Sequence, residues 1–149
     1  MKSIPKSLKI IVLALVAVLL LAQCIRIDKV NPPVRSDLAF VSVKPVLQRA
    51  CYNCHSNETV WPWYSGVAPA SWLVGTDVKE GRSHLNFSEW GMYDGGTRSH
   101  KLRGITEKVQ GGDMPPWYYR LVHRDSRLSE AERNQILAWA AETIRREAK

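Results

Sequence analysis

The sequence predicts an all-α fold, and this prediction depends on two helical patterns and on the lack of strand patterns. Ser129 and Glu132 have the spacing of a capping box, which starts many helices. Apolar residues then recur on one helical face: Ile136, Leu137, Ala140 and Ile144. A second helix is expected over 97–110, with an apolar face formed by Leu102, Ile105 and Val109. No segment alternates apolar and polar residues as a half-buried strand does.

The first element is an apolar stretch near the N-terminus. Residues 10–25 carry no charge, and three lysines precede them: Lys2, Lys6 and Lys9. This length is slightly below the about 20 residues of a typical membrane-spanning helix, but it is within range if the Arg26 side chain extends to the interface. The sequence therefore predicts a single transmembrane anchor in residues 1–27. The lysines favour a cytoplasmic N-terminus and a domain on the opposite side of the membrane.

Two other interpretations of this stretch remain open. A cleaved signal peptide needs a small-residue site of the A-x-A type, and none follows the apolar run. A lipoprotein signal needs a small residue before its cysteine, whereas Gln23 precedes Cys24. An uncleaved anchor fits these residues best.

The basic balance of the chain comes largely from this anchor. The formal net charge is +7, and the three lysines and Arg26 all belong to the anchor. The other residues carry only a small excess of positive charge, so no nucleic-acid surface is predicted.

A linker and one domain follow the anchor. Residues 28–36 are the predicted linker, because Pro32-Pro33 disfavours regular structure and favours an extended tether. Residues 37–149 are the predicted domain. Its first helix is expected over 37–50, where Pro45 weakens the middle, with these apolar residues: Leu38, Phe40, Val41, Val46, Leu47 and Ala50. The remaining expected elements are an aromatic loop over 60–66, a helix over 69–81 and a loop over 86–96.

The pentad Cys51-Tyr52-Asn53-Cys54-His55 is the most informative motif of the chain. C-x-x-C-H is the attachment signature of a c-type haem. Two thiols three positions apart lie on one turn, so both can bond to the vinyl groups of one porphyrin. The histidine that follows is then placed under the iron as the proximal ligand. The sequence thus predicts one covalently attached haem c, with Cys51 and Cys54 as thioethers and His55 as ligand.

Other uses of this motif fit less well. A thioredoxin-like C-x-x-C belongs in a βαβ context, which the sequence does not predict. A zinc site needs further cysteine or histidine ligands, and the third cysteine, Cys24, lies in the apolar stretch. A structural disulfide between Cys51 and Cys54 leaves His55 unexplained.

Met114 is the candidate second ligand of the iron. It lies in Gly111-Gly112-Asp113-Met114-Pro115-Pro116, where the glycines end a helix and the prolines stiffen the chain. A thioether suits haem iron, although methionine more commonly fills gaps in a core. Met92 is another candidate, and three further candidates are expected on the surface beside polar neighbours: His84, His100 and His123. Three residues are expected to line the haem pocket: Trp63, Arg82 and Trp117.

These motifs together resemble a known family. The pentad, a Met-Pro pair and a final Ser-capped helix resemble the class I cytochrome c layout. More closely, Cys54-His55-Ser56-Asn57-Glu58-Thr59, Trp61-Pro62-Trp63-Tyr64 and Met114-Pro115-Pro116-Trp117 resemble the bacterial haem-binding domain family. The resemblance covers about residues 35–145. It implies an exported, membrane-anchored module with one c-type haem, and it names no substrate.

The expected function is single-electron transfer by a monohaem protein rather than enzyme catalysis. The domain would face the periplasm from the bacterial inner membrane and exchange electrons with an unidentified protein there. A haem-based sensor or a peroxidase-like protein with a displaceable distal ligand is the alternative, since an iron with one protein ligand can bind exogenous molecules. A third hypothesis is a haem-holding module that acts through a partner.

Overall fold

The computed structural model describes residues 5–39 and 41–148, so Lys2 and Phe40, which the predictions above include, lie outside the described residues. All regular elements in these ranges are helical, which confirms the all-α fold class. The α-helices are α1 (Lys6–Ala22), α2 (Lys44–Ala50), α3 (Tyr52–His55), α4 (Ala70–His84), α5 (Gly95–Gln110), α6 (Trp117–Val122) and α7 (Glu130–Glu147). Short 3-10 turns occupy Trp63–Gly66, Phe87–Met92 and Arg124–Ser126.

The chain divides into two compact units. The first consists of the chain up to Val30 together with Trp61–Asp77, and the second consists of Asn31–Val60 together with the chain from Val78 onward. The hydrophobic core belongs to the second unit. Its buried members are Leu38, Val43, Leu47, Tyr52, Phe87, Trp90, Leu102, Ile105, Val109, Ile136 and Ala140.

The two helices with the clearest sequence patterns form this core. α5 and α7 pack against each other through the apolar faces that the sequence predicted. α5 begins two residues earlier than predicted because Asp94 caps it, its Oδ1 accepting a hydrogen bond from Thr97 N at 2.8 Å. The capping box of α7 is confirmed: Ser129 Oγ accepts from Glu132 N, and Glu132 Oε2 accepts from Ser129 N.

Removing this cap gives a stability prediction. Ser129→Ala is expected to lower the free energy of unfolding by about 1 kcal/mol, because it leaves a helix-terminal N–H without its acceptor. Urea denaturation followed by far-UV circular dichroism measures the change. Ser42→Ala, at an exposed serine outside any helix cap, is the matched control and should stay close to wild type. Equal unfolding midpoints for the two variants would show that the box contributes nothing.

Two predicted boundaries need correction. The helix expected over 37–50 begins only at Lys44, so Pro45 lies in its first turn, where a missing N–H costs nothing. The expected loop over 86–96 contains the turn Phe87–Met92, which buries Phe87 and Trp90 in the core. The pattern failed there because a turn this short has no helical periodicity. The helix expected over 69–81 forms as α4 and continues to His84.

The predicted linker, residues 28–36, forms hydrogen bonds with residues that lie later in the chain. It has no regular secondary structure, in line with its Pro-Pro pair. Asn57 Nδ2 donates to Pro33 O at 2.9 Å, and Ser36 N donates to Ser88 O at 2.9 Å. Residues from Asn31 onward therefore contribute to the second unit.

The predicted transmembrane anchor is not supported by the described residues. α1 contains 17 residues. At about 1.5 Å per residue such a helix is about 25 Å long, against a hydrocarbon core of about 30 Å. Within residues 5–39 and 41–148, no helix combines the length and the apolar character needed to cross a membrane. The helix ends at Ala22, although the uncharged run continues to residue 25. The next residue, Gln23, caps the helix, and its side-chain amide donates to Leu19 O at 2.8 Å.

Candidate functional site

The pentad lies at the junction of two helices. α2 ends at Ala50, Cys51 caps it, and α3 begins at Tyr52. Cys54 N and His55 N both donate to Cys51 O, at 3.1 and 2.9 Å, which closes one helical turn. Both cysteines are half-buried, and neither is in a disulfide. Because they are three positions apart on this turn, they lie on the same side of it and can bond to one planar group.

His55 is oriented by two backbone carbonyls. Its Nδ1 lies 2.9 Å from Gly81 O and 3.1 Å from Leu85 O. Carbonyl oxygens only accept hydrogen bonds, so Nδ1 carries the proton and Nε2 keeps its lone pair. Burial lowers the pKa of His55, and the two carbonyl contacts only partly oppose that shift. A neutral imidazole held in a single tautomer is the form that binds a metal ion.

A glycine allows α4 to approach the pentad. A Cβ added to Gly81 would lie 2.5 Å from Cys54 O and 3.1 Å from Cys54 Cβ. Only a residue without a side chain fits at this distance, and the same residue supplies one of the carbonyls that bind His55. Sequence reasoning did not assign Gly81 a role. The available signal was a glycine within a predicted helix, which often marks close packing.

The environment of the thiols keeps Cys51 protonated. Burial raises the pKa of Cys51 to about 12, and the neighbouring Cys54 adds to the shift. A neutral thiol is a weak nucleophile. These surroundings therefore disfavour the thiolate form of Cys51.

Arg82 stabilises the loop that follows the pentad. Its Nε donates to Ser56 O at 2.8 Å, and its Nη2 donates to Asn31 Oδ1 and Thr59 Oγ1, both at 2.8 Å. These bonds use donors of the guanidinium that the sequence placed in the haem pocket. The place of Arg82 in that pocket stays a prediction, while the loop contacts are part of the fold.

Asn53, inside the pentad, connects it to the loop and to α6. Thr59 Oγ1 donates to Asn53 O at 2.8 Å, and Val60 N donates to Asn53 Oδ1 at 3.0 Å. Asn53 Nδ2 donates to Tyr119 Oη at 2.8 Å. This last bond places α6 beside the pentad. The helix was not predicted, because six residues are too few to show a periodic pattern.

A buried, hydrogen-bonded pair of asparagines helps to hold the backbone that binds His55. Asn86 Nδ2 donates to Asn57 Oδ1 at 2.9 Å, and both side chains are buried. The ring of Tyr52 stacks on Phe87 with centroids 5.0 Å apart. Together these contacts fix the chain directly after Leu85, so the carbonyl of Leu85 stays in place for His55.

Met114 is held in a turn at the end of α5. Met114 N donates to Lys108 O at 3.2 Å, and Gly112 has a φ of 77°, which a residue with a side chain rarely adopts. Lys108 and Asp113 form an ion pair at 3.1 Å across this turn. The predicted helix stop at the two glycines is confirmed.

The remaining predicted site residues differ in their surroundings. Met114 and Trp117 belong to the same unit as the pentad and are 38% and 67% exposed. Trp63 belongs to the first unit and is 85% exposed, so its place in a pocket stays a prediction. His84 and His100 are exposed. His123 is half-buried, and its ring stacks on Tyr119 with centroids 4.2 Å apart.

The sequence also matches a known protein family. The family model described as a haem-binding domain matches residues 17–142. The chain belongs to this haem-binding domain family. The donors fit that cofactor, because the pentad presents two cysteines that form no disulfide and a neutral imidazole with an available Nε2. The resemblance predicted from the motifs is thereby confirmed for the haem-binding domain family, whereas the finer class I cytochrome c layout stays a prediction.

One curated relative adds a second comparison. The haem-binding domain is 29% identical over 97 residues to cytochrome c peroxidase Ccp of Escherichia coli (strain K12). The alignment covers 63% of this chain and 21% of that protein, so the chain spans about a fifth of the relative's length. No solved structure matches the chain.

Proposed function

We propose that this haem-binding domain carries one covalently attached haem c and transfers single electrons. The observation that supports this most strongly is the position of His55, whose Nδ1 is bound to Gly81 O and Leu85 O beside two cysteines that form no disulfide. Cys51 and Cys54 would form the thioethers, and His55 Nε2 would bind the iron. When bound, the haem supplies a one-electron redox couple.

The protein's contribution to electron transfer is to limit rearrangement around the cofactor. His55 is fixed by two carbonyls, and Gly81 keeps α4 against the pentad. Met114, on a turn fixed by Gly112, would be the second protein ligand of the iron. If His55 and Met114 both held the iron, electron exchange with a partner protein would be favoured over binding of small molecules.

Replacement of Met114 tests this proposal. If its sulfur binds the iron, Met114→Ala should remove the weak far-red band of the ferric protein and allow carbon monoxide to bind the ferrous protein. The reduction potential should fall, because methionine ligation raises it. Absorption spectra with and without carbon monoxide, together with a redox titration, measure all three effects. Met92→Ala replaces a methionine that is 51% exposed in the same unit and is the matched control.

The opposite result would favour the alternative function. If Met114→Ala leaves the spectrum and the potential unchanged, the sixth position is occupied by a histidine or is open, and His84→Ala and His100→Ala are the next variants. A sensor or peroxidase-like role would then take precedence. The similarity to a cytochrome c peroxidase keeps this alternative in view, although it covers 21% of that protein.

We also propose that the domain is held at the bacterial inner membrane, on the periplasmic side. Every described residue of α1 up to Leu21 is exposed, and the helix buries no side chain. Lys6 and Lys9 precede its apolar part, and Arg26 follows it. Attachment of c-type haem belongs to the oxidising side of that membrane, where the redox partner would also be found.

A further inference from the structure

The first unit has a partly exposed aromatic segment, whereas the pentad belongs to the second unit. Residues 61–76 contain no charged residue, and they include three tryptophans and a tyrosine. Trp63 is 85% exposed, Val67 is 46% exposed and Leu73 is 50% exposed. We call the part of this segment that these three side chains expose the aromatic surface, after its tryptophan. Several large apolar side chains exposed within one short segment point to a site of interaction.

This segment is bonded to the chain that leaves α1. Gln23 Nε2 donates to Ala68 O at 3.3 Å, and Ala68 N donates to Gln23 Oε1 at 2.9 Å. Trp72 Nε1 donates to Ile25 O at 3.0 Å. Because all three bonds lie within the first unit, the chain directly after α1 and the aromatic segment are fixed to each other.

The surroundings of the segment indicate the chemistry of its partner. α1 presents exposed apolar side chains along its length: Leu8, Ile10, Ile11, Val12, Leu13, Leu15, Val16, Val18, Leu19, Leu20 and Leu21. Two cations follow where that helix ends: Arg26 and Lys29, both exposed. A Cβ on Gly66 would lie 3.5 Å from Lys29 Nζ, so one of these charges lies directly beside the segment. Acyl chains suit the helix, and anionic headgroups suit the cations.

We propose that the aromatic surface docks into the headgroup region of the lipid bilayer to which α1 attaches. Tryptophan is enriched at this depth because its ring is apolar and its N–H is polar. Gln23 and Trp72 then act as positioning residues, since their hydrogen bonds keep the segment level with the end of the helix. This inference rests on the membrane attachment proposed above, and it assigns a second, separate contact to the bilayer.

Photolabelling of the full haem-loaded chain tests the proposal. The chain is reconstituted into vesicles of phosphatidylethanolamine and phosphatidylglycerol that contain a phospholipid with a diazirine near its headgroup. After irradiation, mass spectrometry locates the labelled peptides. We expect labels on α1 and on residues 61–77. Trp63→Ser combined with Val67→Ser should lower labelling of residues 61–77 severalfold, whereas Val122→Ser, at a side chain 65% exposed in the second unit, should not.

The possible outcomes separate the two proposals. Labels on α1 without labels on 61–77 would overturn the docking surface and leave membrane attachment standing. No label on either segment would overturn membrane attachment itself. Circular dichroism checks that the double variant is folded, and Leu73→Ser provides an independent variant if it is not. Labelling of 61–77 that persists in folded variants would show that these side chains do not make the contact.

Discussion

Replacement of both Cys51 and Cys54 by alanine is expected to leave no haem that survives denaturing extraction. A thioether bond withstands acidic acetone and detergent, whereas an iron–imidazole bond does not. Cys51 and Cys54 share one turn, and His55 is held beside them, so these are the sulfur atoms that one porphyrin can reach. Haem staining of a denaturing gel and intact-protein mass spectrometry measure the bound haem.

Cys24 offers a matched control for this experiment. It is an exposed free cysteine that lies in the first unit. Cys24→Ala should therefore retain as much covalent haem as the wild-type chain. If the double variant at Cys51 and Cys54 keeps the same amount, the cofactor is held without thioethers, and the proposal of a c-type haem fails.

The main helices could be predicted from local pattern because their signals lie within the helices themselves. The face formed by Leu102, Ile105 and Val109 and the box between Ser129 and Glu132 involve residues three or four positions apart. Such contacts depend on helix geometry alone. α6 lacks this signal: it has six residues, and its Trp117 and Leu121 remain exposed.

The cysteines and the histidine of the site could also be predicted from the sequence, whereas the backbone carbonyls that bind His55 could not. The spacing of Cys51, Cys54 and His55 defines a chemical motif in any fold. The carbonyls of Gly81 and Leu85 lie 26 and 30 positions after His55, and every residue has a carbonyl. Only the three-dimensional arrangement of α4 and the chain after it selects these two.

The assignments of Arg82 and of the N-terminal stretch show a second limit of the sequence. An arginine near a haem motif suits a propionate, but it suits backbone oxygens equally well, and Arg82 bonds to Ser56 O. The uncharged run over 10–25 has the composition of an anchor, yet the helix ends at Ala22 and contains 17 residues. Composition alone therefore determined neither the length of this helix nor the hydrogen-bond partners of Arg82.

Gly81→Ala is expected to disturb the site more than other single substitutions in α4. The new Cβ would lie 2.5 Å from Cys54 O, a distance that backbone atoms can relieve only by moving. Overpacking of this kind typically costs about 1–3 kcal/mol of stability. The displacement would also lengthen the bond from His55 Nδ1 to Gly81 O, which loosens the orientation of the imidazole.

Two measurements and a control variant at another helical glycine distinguish a clash at Gly81 from the general effect of replacing glycine by alanine in a helix. Urea denaturation gives the stability, and the absorption spectrum of the haem-loaded chain reports the axial ligands. Gly104→Ala in α5 adds the same methyl group where no atom lies within 4 Å, so it should be neutral or stabilise the helix by about 0.5–1 kcal/mol. If the two variants show equal stability and equal spectra, α4 does not press against the pentad at Gly81.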